Sequence, residues 1–467
     1  MVFPTLDFIL FFAVVLSLAL WIGRDERRAA LRKGVLIAAS YTFYAAWDAR
    51  FLLLMAGVSA LAWGAGLWVR DARRGRRVLV VALALMLLTL GVFKYFNFFF
   101  LSLQQLLGDS ALARDLAWMR VILPVGISFY IFQAISYLLD IRRGKIAPRH
   151  NPIDVFLYIS FFPQLVAGPI VRAADFLPQI DRPAMVDATM RGAAVLLILT
   201  GLFKKMVVAN YLSVLLVDPV FAFPDLQGRA EALLAVVGYG VQIYCDFSGY
   251  SDIAIGVALL MGYRFKRNFN QPYRARGLSD FWRRWHISLS TWIRDYLYIP
   301  LGGNAGGALR QIRTVMITMT LAGLWHGAGW NFLIWGLLHG AGLVAERGMA
   351  RLRMLKPLAI LSAPLTLVFV LALWIPFRAA DWQGSTAIIA AMGRTNGPAS
   401  VEISTAVLAL VAIGLAMNWL PMRWRDAAEA RLIRFPPLVQ ALCLALGTVI
   451  CFALAQDGVA PFIYFQF

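Results

Sequence analysis

The sequence is poor in the residues that soluble enzymes rely on. It holds three cysteines and four histidines in 467 residues, and charged side chains make up only 15%. Cys245, Cys443 and Cys451 lie in apolar runs without CxxC spacing, which argues against a disulfide framework or a zinc site and for small buried residues. There is no HExxH, no glycine-rich phosphate loop, and "PVGISFY" is not a GxSxG elbow. Acidic residues number 25 against 44 Lys and Arg, a net charge of +19. Nucleic acid is a poor explanation of that excess, because the chain is 61% hydrophobic with a mean hydropathy of +0.71. A soluble domain of this length needs far more polar surface. No internal repeat, low-complexity tract or linker divides the chain, so a single all-α, polytopic, membrane-embedded domain over 1–467 is expected.

Apolar runs place candidate spans at 3–22, 34–49, 51–69, 78–100, 121–141, 193–216, 233–262, 357–377, 402–420 and 437–456. The loops between them alternate in charge. Arg24, Arg27, Arg28, Arg32 and Lys33 follow the first span; Arg70, Arg73, Arg74, Arg76 and Arg77 follow the third; Arg142, Arg143, Lys145 and Arg149 follow the fifth. The 101–120 loop balances Arg114 and Arg120 against Asp109 and Asp115. Basic loops collect in the cytoplasm, so both termini are expected outside it. Later loops continue the pattern, with Arg347, Arg351, Arg353 and Lys356 inside, 378–400 outside and "MRWRDAAEARLIR" inside. The N-terminus lacks a basic stretch before its apolar run, which reads as a retained span.

Two segments break the alternation and read as re-entrant. Residues 153–171 have basic residues on both flanks and are interrupted by Pro163, Gly168 and Pro169. The stretch "LAGLWHGAGWNFLIWGLLHG", 321–340, lies between Arg310 and Arg313 on one side and Arg347 on the other. From Thr314 to Trp325 is about 18 Å of helix, too short to cross, and Gly327 and Gly329 then allow a turn. His326 is thus expected at the deep tip, where irregular backbone is tolerated around a protein-lined cavity.

An ionisable residue at membrane depth points to function by default, which favours His326 over a merely structural histidine. His150, in "APRHNP", reads as a solvated loop residue. His339, beside Gly336 and Gly340, is balanced between the two readings. On a straight helix it would stand about 220° from His326, which argues against a shared metal. A buried, neutral imidazole suits a general base acting on a hydroxyl.

A second dense region is "LSDFWRRWHISLSTWIRDYLYIPLGGNAGG", 278–307. As one amphipathic interfacial helix, its apolar face is Phe281, Trp285, Leu289, Trp292 and Tyr296, with His286 and Ser290 on another. Ten Lys and Arg fall between Arg264 and Arg313, against Asp280 and Asp295. Such a basic face suits anionic lipid or a phosphorylated donor such as a coenzyme A thioester. Asp246 and Asp252, in "YCDFSGYSDIAIG", fall in an apolar run and need partners, for which the Arg and Lys of the basic segment are the candidates.

"FWRRWHISLSTWIRDYLYIPLGG", followed about 40 residues on by "GLWHG", resembles the membrane-bound O-acyltransferase (MBOAT) family. "LPVGISFYIFQAISYLLDIRRG", "FFPQLVAGPIVR", "GLFKK", "YCDFSGYSDIAIG", "FNQPY" and the closing "PFIYFQF" look like its bacterial alginate O-acetyltransferase branch. The resemblance implies a fold of about ten transmembrane helices plus the two re-entrant segments. Its cytoplasmic and periplasmic funnels meet at a central histidine. The catalytic residues carried over are His326 and His286, within a catalytic region of about 240–347. Candidate donor- and substrate-binding residues are Trp325, Ser290, Arg283, Arg284, Arg294, Asp246, Asp252 and Asn331, with no metal and no bound cofactor.

The implied activity is transfer of acetyl from a cytoplasmic donor, acetyl-CoA, across the bacterial inner membrane for O-acetylation of an exopolysaccharide such as alginate. Implied partners are membrane lipid and a periplasmic or membrane-anchored SGNH-type acetyltransferase as acceptor, with no nucleic acid. D-alanyl or other acyl transfer to a cell-envelope polymer is the nearest alternative. A transporter with broken helices is a second, weakened by the absence of two matching halves. A scaffold for a polysaccharide synthase is a third.

Overall fold

The structure, a computed structural model, describes residues 3–23, 26–108, 121–166, 168–351, 361–395 and 400–456. Arg24, the loop residues 109–120, Arg353, Lys356, the start of the 357–377 span and "PFIYFQF" lie outside the described residues. Among the described residues every regular element is helical. Among the described residues four helical runs are long and apolar enough to cross a membrane: Ala29–Trp68, Gly75–Gln104, Ala188–Ala222 and Arg229–Leu260. Leu6–Ile22, Ser362–Arg378, Thr405–Ala416 and Pro437–Ala453 are shorter apolar helices. The chain divides into two compact units, one of residues 1–187 and 257–265, the other of 188–256 and 266–467.

In the first unit the expected span at 121–141 starts late. The helix is Ile127–Arg142, because Pro124 and Gly126 hold the preceding residues out of it. Gly126 has φ +74, and a Cβ there would stand 2.5 Å from the Leu165 carbonyl oxygen, so only glycine fits. The basic loops gather at one end. Arg142 donates to the Val69 carbonyl (3.0 Å), Lys33 meets Asp154 (2.6 Å), and Arg149 bridges Asp154 (3.3 Å) and Asp181 (2.6 Å). Helix is broken within 153–171, as the interruptions at Pro163 and Gly168 led one to expect. Asn151 caps the helix Pro152–Ser160 by accepting from the Ile153 N–H; a single turn, Phe162–Leu165, follows, and residues 168–172 are irregular before the helix Ala173–Ile180. Pro163 lies in the first turn of that short piece, where its missing N–H costs nothing.

The second unit is organised by two long helices. Ala188–Ala222 is helical throughout but widens into π-helical turns at Phe203–Ala209 and Ser213–Val217. Arg229–Leu260 is almost enclosed, and they cross where Gly201 and Gly249 bring their backbones together. Beyond them stands a hairpin, Ala308–His326 followed by Trp330–Arg351. A Cβ on Gly323 would lie 2.2 Å from the Phe332 carbonyl oxygen, and one on Gly336 2.4 Å from that of Met319, so small residues seat one arm against the other. The helix Ser362–Arg378 packs on the second arm and supplies Trp374 and Phe377 to the interior.

Candidate active site

His326 is the last residue of the helix Ala308–His326, so the chain turns immediately after it. The turn is made differently from the expectation. Gly327 is extended (φ −157, ψ 151), a conformation open to any residue. What it supplies is space, since a Cβ there would stand 2.1 Å from the Phe332 ring. Gly329 meets only ordinary contact, 3.6 Å from that ring. The His326 ring is buried among Trp325 (centroids 4.9 Å), Trp335 (5.0 Å) and Phe377 (5.3 Å).

The stretch 278–298 is not one amphipathic helix. It is Leu278–Arg284, a break at Trp285 and His286, Ile287–Ile293, and a π-helical turn Arg294–Tyr298. His286 adopts the left-handed conformation (φ 43, ψ 56), which ends one helix and starts the next. The break turns the imidazole fully inward while Phe281, Trp285, Leu289, Trp292 and Tyr296 stay buried. Phe247 packs edge-on to His286 (4.6 Å), and Trp325 lies 6.1 Å from it between centroids, so the Trp325 indole touches both catalytic candidates. Burial pushes the His286 imidazole pKa down to about 3, which keeps the ring neutral, one of its nitrogens carrying a free lone pair.

His339, expected to part from His326, shares a neighbour with it. The hairpin puts Trp335 beside both rings, 5.0 Å from His326 and 4.5 Å from His339. The straight-helix rotation does not apply once the chain has doubled back. Trp282 and Phe369 complete an aromatic surround for His339, at 5.2 and 5.9 Å.

The other candidates separate. The Ser290 hydroxyl donates to the Trp285 carbonyl (3.1 Å) and its backbone N–H to the His286 carbonyl (2.9 Å), so that it stitches the break. Asn331, buried, donates to the Ala379 carbonyl (3.1 Å). Arg283 and Arg294 are exposed beside Asp280 (3.6 Å) and Asp295 (2.7 Å), and Arg284 bonds Asp280 (3.0 Å) and the Asn270 carbonyl (3.3 Å). The lysines that meet Asp246 and Asp252 come from a different segment than the basic one expected. Asp246 bonds Lys205, and Asp252 meets Lys204 at 2.7 Å, both lysines coming from "GLFKK". The crossing of the two long helices at Gly201 and Gly249 brings that motif against both carboxylates.

Lys204 and Asp252 line a cavity of about 300 Å³ with Tyr244, Phe269, Gln271 and Arg425. Its aromatic wall adjoins the histidine cluster: Phe269 lies 5.0 Å from Phe247, which packs on His286.

Sequence reasoning missed Asn268, Trp335 and Phe377. Asn268, one residue before "FNQPY", bonds Nδ1 of His286 (3.2 Å), the Ser288 N–H (3.1 Å) and the Ser288 hydroxyl (2.9 Å). No periodicity marks an asparagine in a basic loop. Lys204 and Lys205 carried a usable signal, two cations in one apolar run facing two carboxylates in the next.

Residues 145–378 match the description of the MBOAT, membrane-bound O-acyltransferase family. The chain is 41% identical to the probable alginate O-acetylase of Pseudomonas aeruginosa over 391 residues, 82% of this chain and 73% of that protein. It is 35% identical to the probable alginate O-acetylase of Pseudomonas putida over 495 aligned positions, the full length of both. It is 34% identical to the peptidoglycan O-acetyltransferase of Helicobacter pylori over 408 residues, 79% of this chain and 75% of the relative.

Proposed function

The chain belongs to the membrane-bound O-acyltransferase family and is an O-acyltransferase, and from that premise we propose that it moves acetyl from cytoplasmic acetyl-CoA to a hydroxyl acceptor across the inner membrane, for O-acetylation of an exopolysaccharide such as alginate. The observation that carries this reading is the buried junction of His286, Trp325 and His326. An aromatic enclosure keeps water from a thioester, and a neutral imidazole inside it has a lone pair to offer. His326 takes the proton of the acceptor hydroxyl as its oxygen attacks the thioester carbonyl carbon. The new C–O bond forms, the C–S bond breaks, and the proton passes to the departing thiolate. His286 assists across the Trp325 indole.

The cavity beside Lys204, Asp252 and Arg425 is the donor's approach in this proposal. A cationic rim suits the phosphates, and the aromatic wall next to Phe247 and His286 suits the uncharged arm. The acceptor arrives from the periplasmic side, where an SGNH-type acetyltransferase passes the group to the polymer. Multi-pass insertion in the bacterial inner membrane, with both termini periplasmic, follows the charge alternation of the loops. The region 240–347 then forms the catalytic part of one membrane domain over 1–467.

His326→Ala is expected to abolish acetylation of the secreted polymer while the protein still inserts; unchanged acetylation in that variant sinks the proposal. Labelled acetyl-CoA given to one side of a proteoliposome tests the sidedness. Ion-driven solute uptake without an acyl donor would instead favour a transporter.

A further inference from the structure

We propose that Asn268 is a positioning residue that holds His286 as its Nδ1–H tautomer, so that Nε2 is the ring's basic atom. The inference rests on the reading that His286 takes part in the transfer. Asn268 is 1% exposed, in the loop after the helix Arg229–Leu260. Its Oδ1 stands 3.1 Å from the Ser288 backbone N, 2.9 Å from the Ser288 Oγ and 3.2 Å from His286 Nδ1.

The orientation of an amide side chain is an assignment that its neighbours must justify. Here a backbone N–H, which only donates, faces the atom in question, so that atom is the oxygen. The other end agrees, with Nδ2 3.2 Å from the Ser251 hydroxyl. An amide oxygen offers lone pairs only, so Nδ1 of His286 must bring the hydrogen. A neutral imidazole has one N–H, and with it on Nδ1 the lone pair belongs to Nε2.

The backbone enforces the arrangement. His286 has φ 43, a left-handed conformation that is strained for a non-glycine residue and persists only where its surroundings hold it. The Ile287 N–H bonds the Asn268 carbonyl (2.9 Å), and the Asn270 N–H bonds the Arg284 carbonyl (2.9 Å), so the asparagine loop grips the chain on both sides of the histidine. If Asn268 merely pinned this turn, its bonds to Ser288 would suffice. The bond to the ring is what fixes a tautomer.

The test uses the full chain in detergent with ring-15N-labelled histidine, the His286 signal assigned by its loss in His286→Gln. The wild type is expected to show a protonated Nδ1 and a bare Nε2. Asn268→Leu should release that preference so that the Nε2–H form appears, whereas Asn268→Asp, which keeps an accepting oxygen, should retain Nδ1–H. In host membranes supplied with labelled acetyl-CoA, Asn268→Leu should lower kcat by about 100-fold with KM for the donor unchanged. Asn268→Asp should recover part of the rate.

A wild-type Nε2–H tautomer overturns the inference, as does Asn268→Leu with an unchanged spectrum or an undiminished kcat. If Asn268→Leu does not fold, the wild-type and Asn268→Asp spectra decide the matter. Full transfer by His286→Ala would remove the catalytic reading of His286 and with it the positioning role. Loss in His286→Ala beside a normal Asn268→Leu overturns the positioning role alone.

Discussion

Gly201 and Gly249 meet backbone to backbone: a Cβ on Gly201 would lie 2.6 Å from the Gly249 carbonyl oxygen, and one on Gly249 2.7 Å from that of Gly201. This approach sets the spacing at which Lys204 reaches Asp252 and Lys205 reaches Asp246, three or four residues away along the two helices.

Gly249→Val should therefore push the helices apart and destabilise the protein by about 1–3 kcal/mol, the usual range for overfilling a packed core. Thermal unfolding of the purified protein in detergent reads the effect. A melting temperature equal to that of the wild type would mean the crossing has slack that the glycine contacts do not suggest.

Lys205→Met leaves the buried Asp246 carboxylate without its lysine and should cost about 3–5 kcal/mol. The double variant Lys205→Met with Asp246→Leu should regain much of that, because removing both charges also removes their desolvation. Additive losses in the two-residue cycle would contradict a direct pair.

Gly327→Ala places a methyl 2.1 Å from the Phe332 ring, beside His326, whereas Gly329→Ala makes an ordinary contact at 3.6 Å. The first should lower both melting temperature and acetyl transfer; the second should leave both near wild type. Equal behaviour of the two alanines would refute the role given to Gly327.

Among the described residues, neither ring nitrogen of His339 meets a hydrogen-bonding group, and its neighbours Trp282, Trp335 and Phe369 are aromatic. His339→Leu should accordingly leave acetyl transfer near the wild-type rate and stability little changed. His326→Ala should lose about 100- to 10,000-fold in kcat. A large kcat loss in His339→Leu with an unchanged melting temperature would move His339 into the chemistry.

Much of this was legible along the chain, because some physics is local. Basic residues on both flanks of "GLWHG" and the glycines after His326 marked a chain reversal there, while the close packing of the two arms at Gly323 and Gly336 was not read from the sequence. The pattern 278–298 was legible only in part: its aromatic spacing located the buried residues, but a helical period cannot register one left-handed residue, and His286 is that residue. The partners of Asp246 and Asp252 were drawn toward the loop arginines because net charge is easy to count along a sequence. The crossing at Gly201 and Gly249 chose Lys205 and Lys204 instead.

The sequence by itself determined the helical, membrane-suited character of the chain, the alternation of its basic loops, the family and the two histidines carried over from its motifs. The first two follow from composition and charge, which neighbours in the chain express; the family and its histidines follow from the resemblance of the motifs. Only the tertiary structure decided what surrounds those histidines: Trp325 against both, Trp335 between His326 and His339, and Asn268 on Nδ1 of His286. These are contacts between segments distant in sequence, and close packing of whole helices sets them, to a precision that no linear pattern carries.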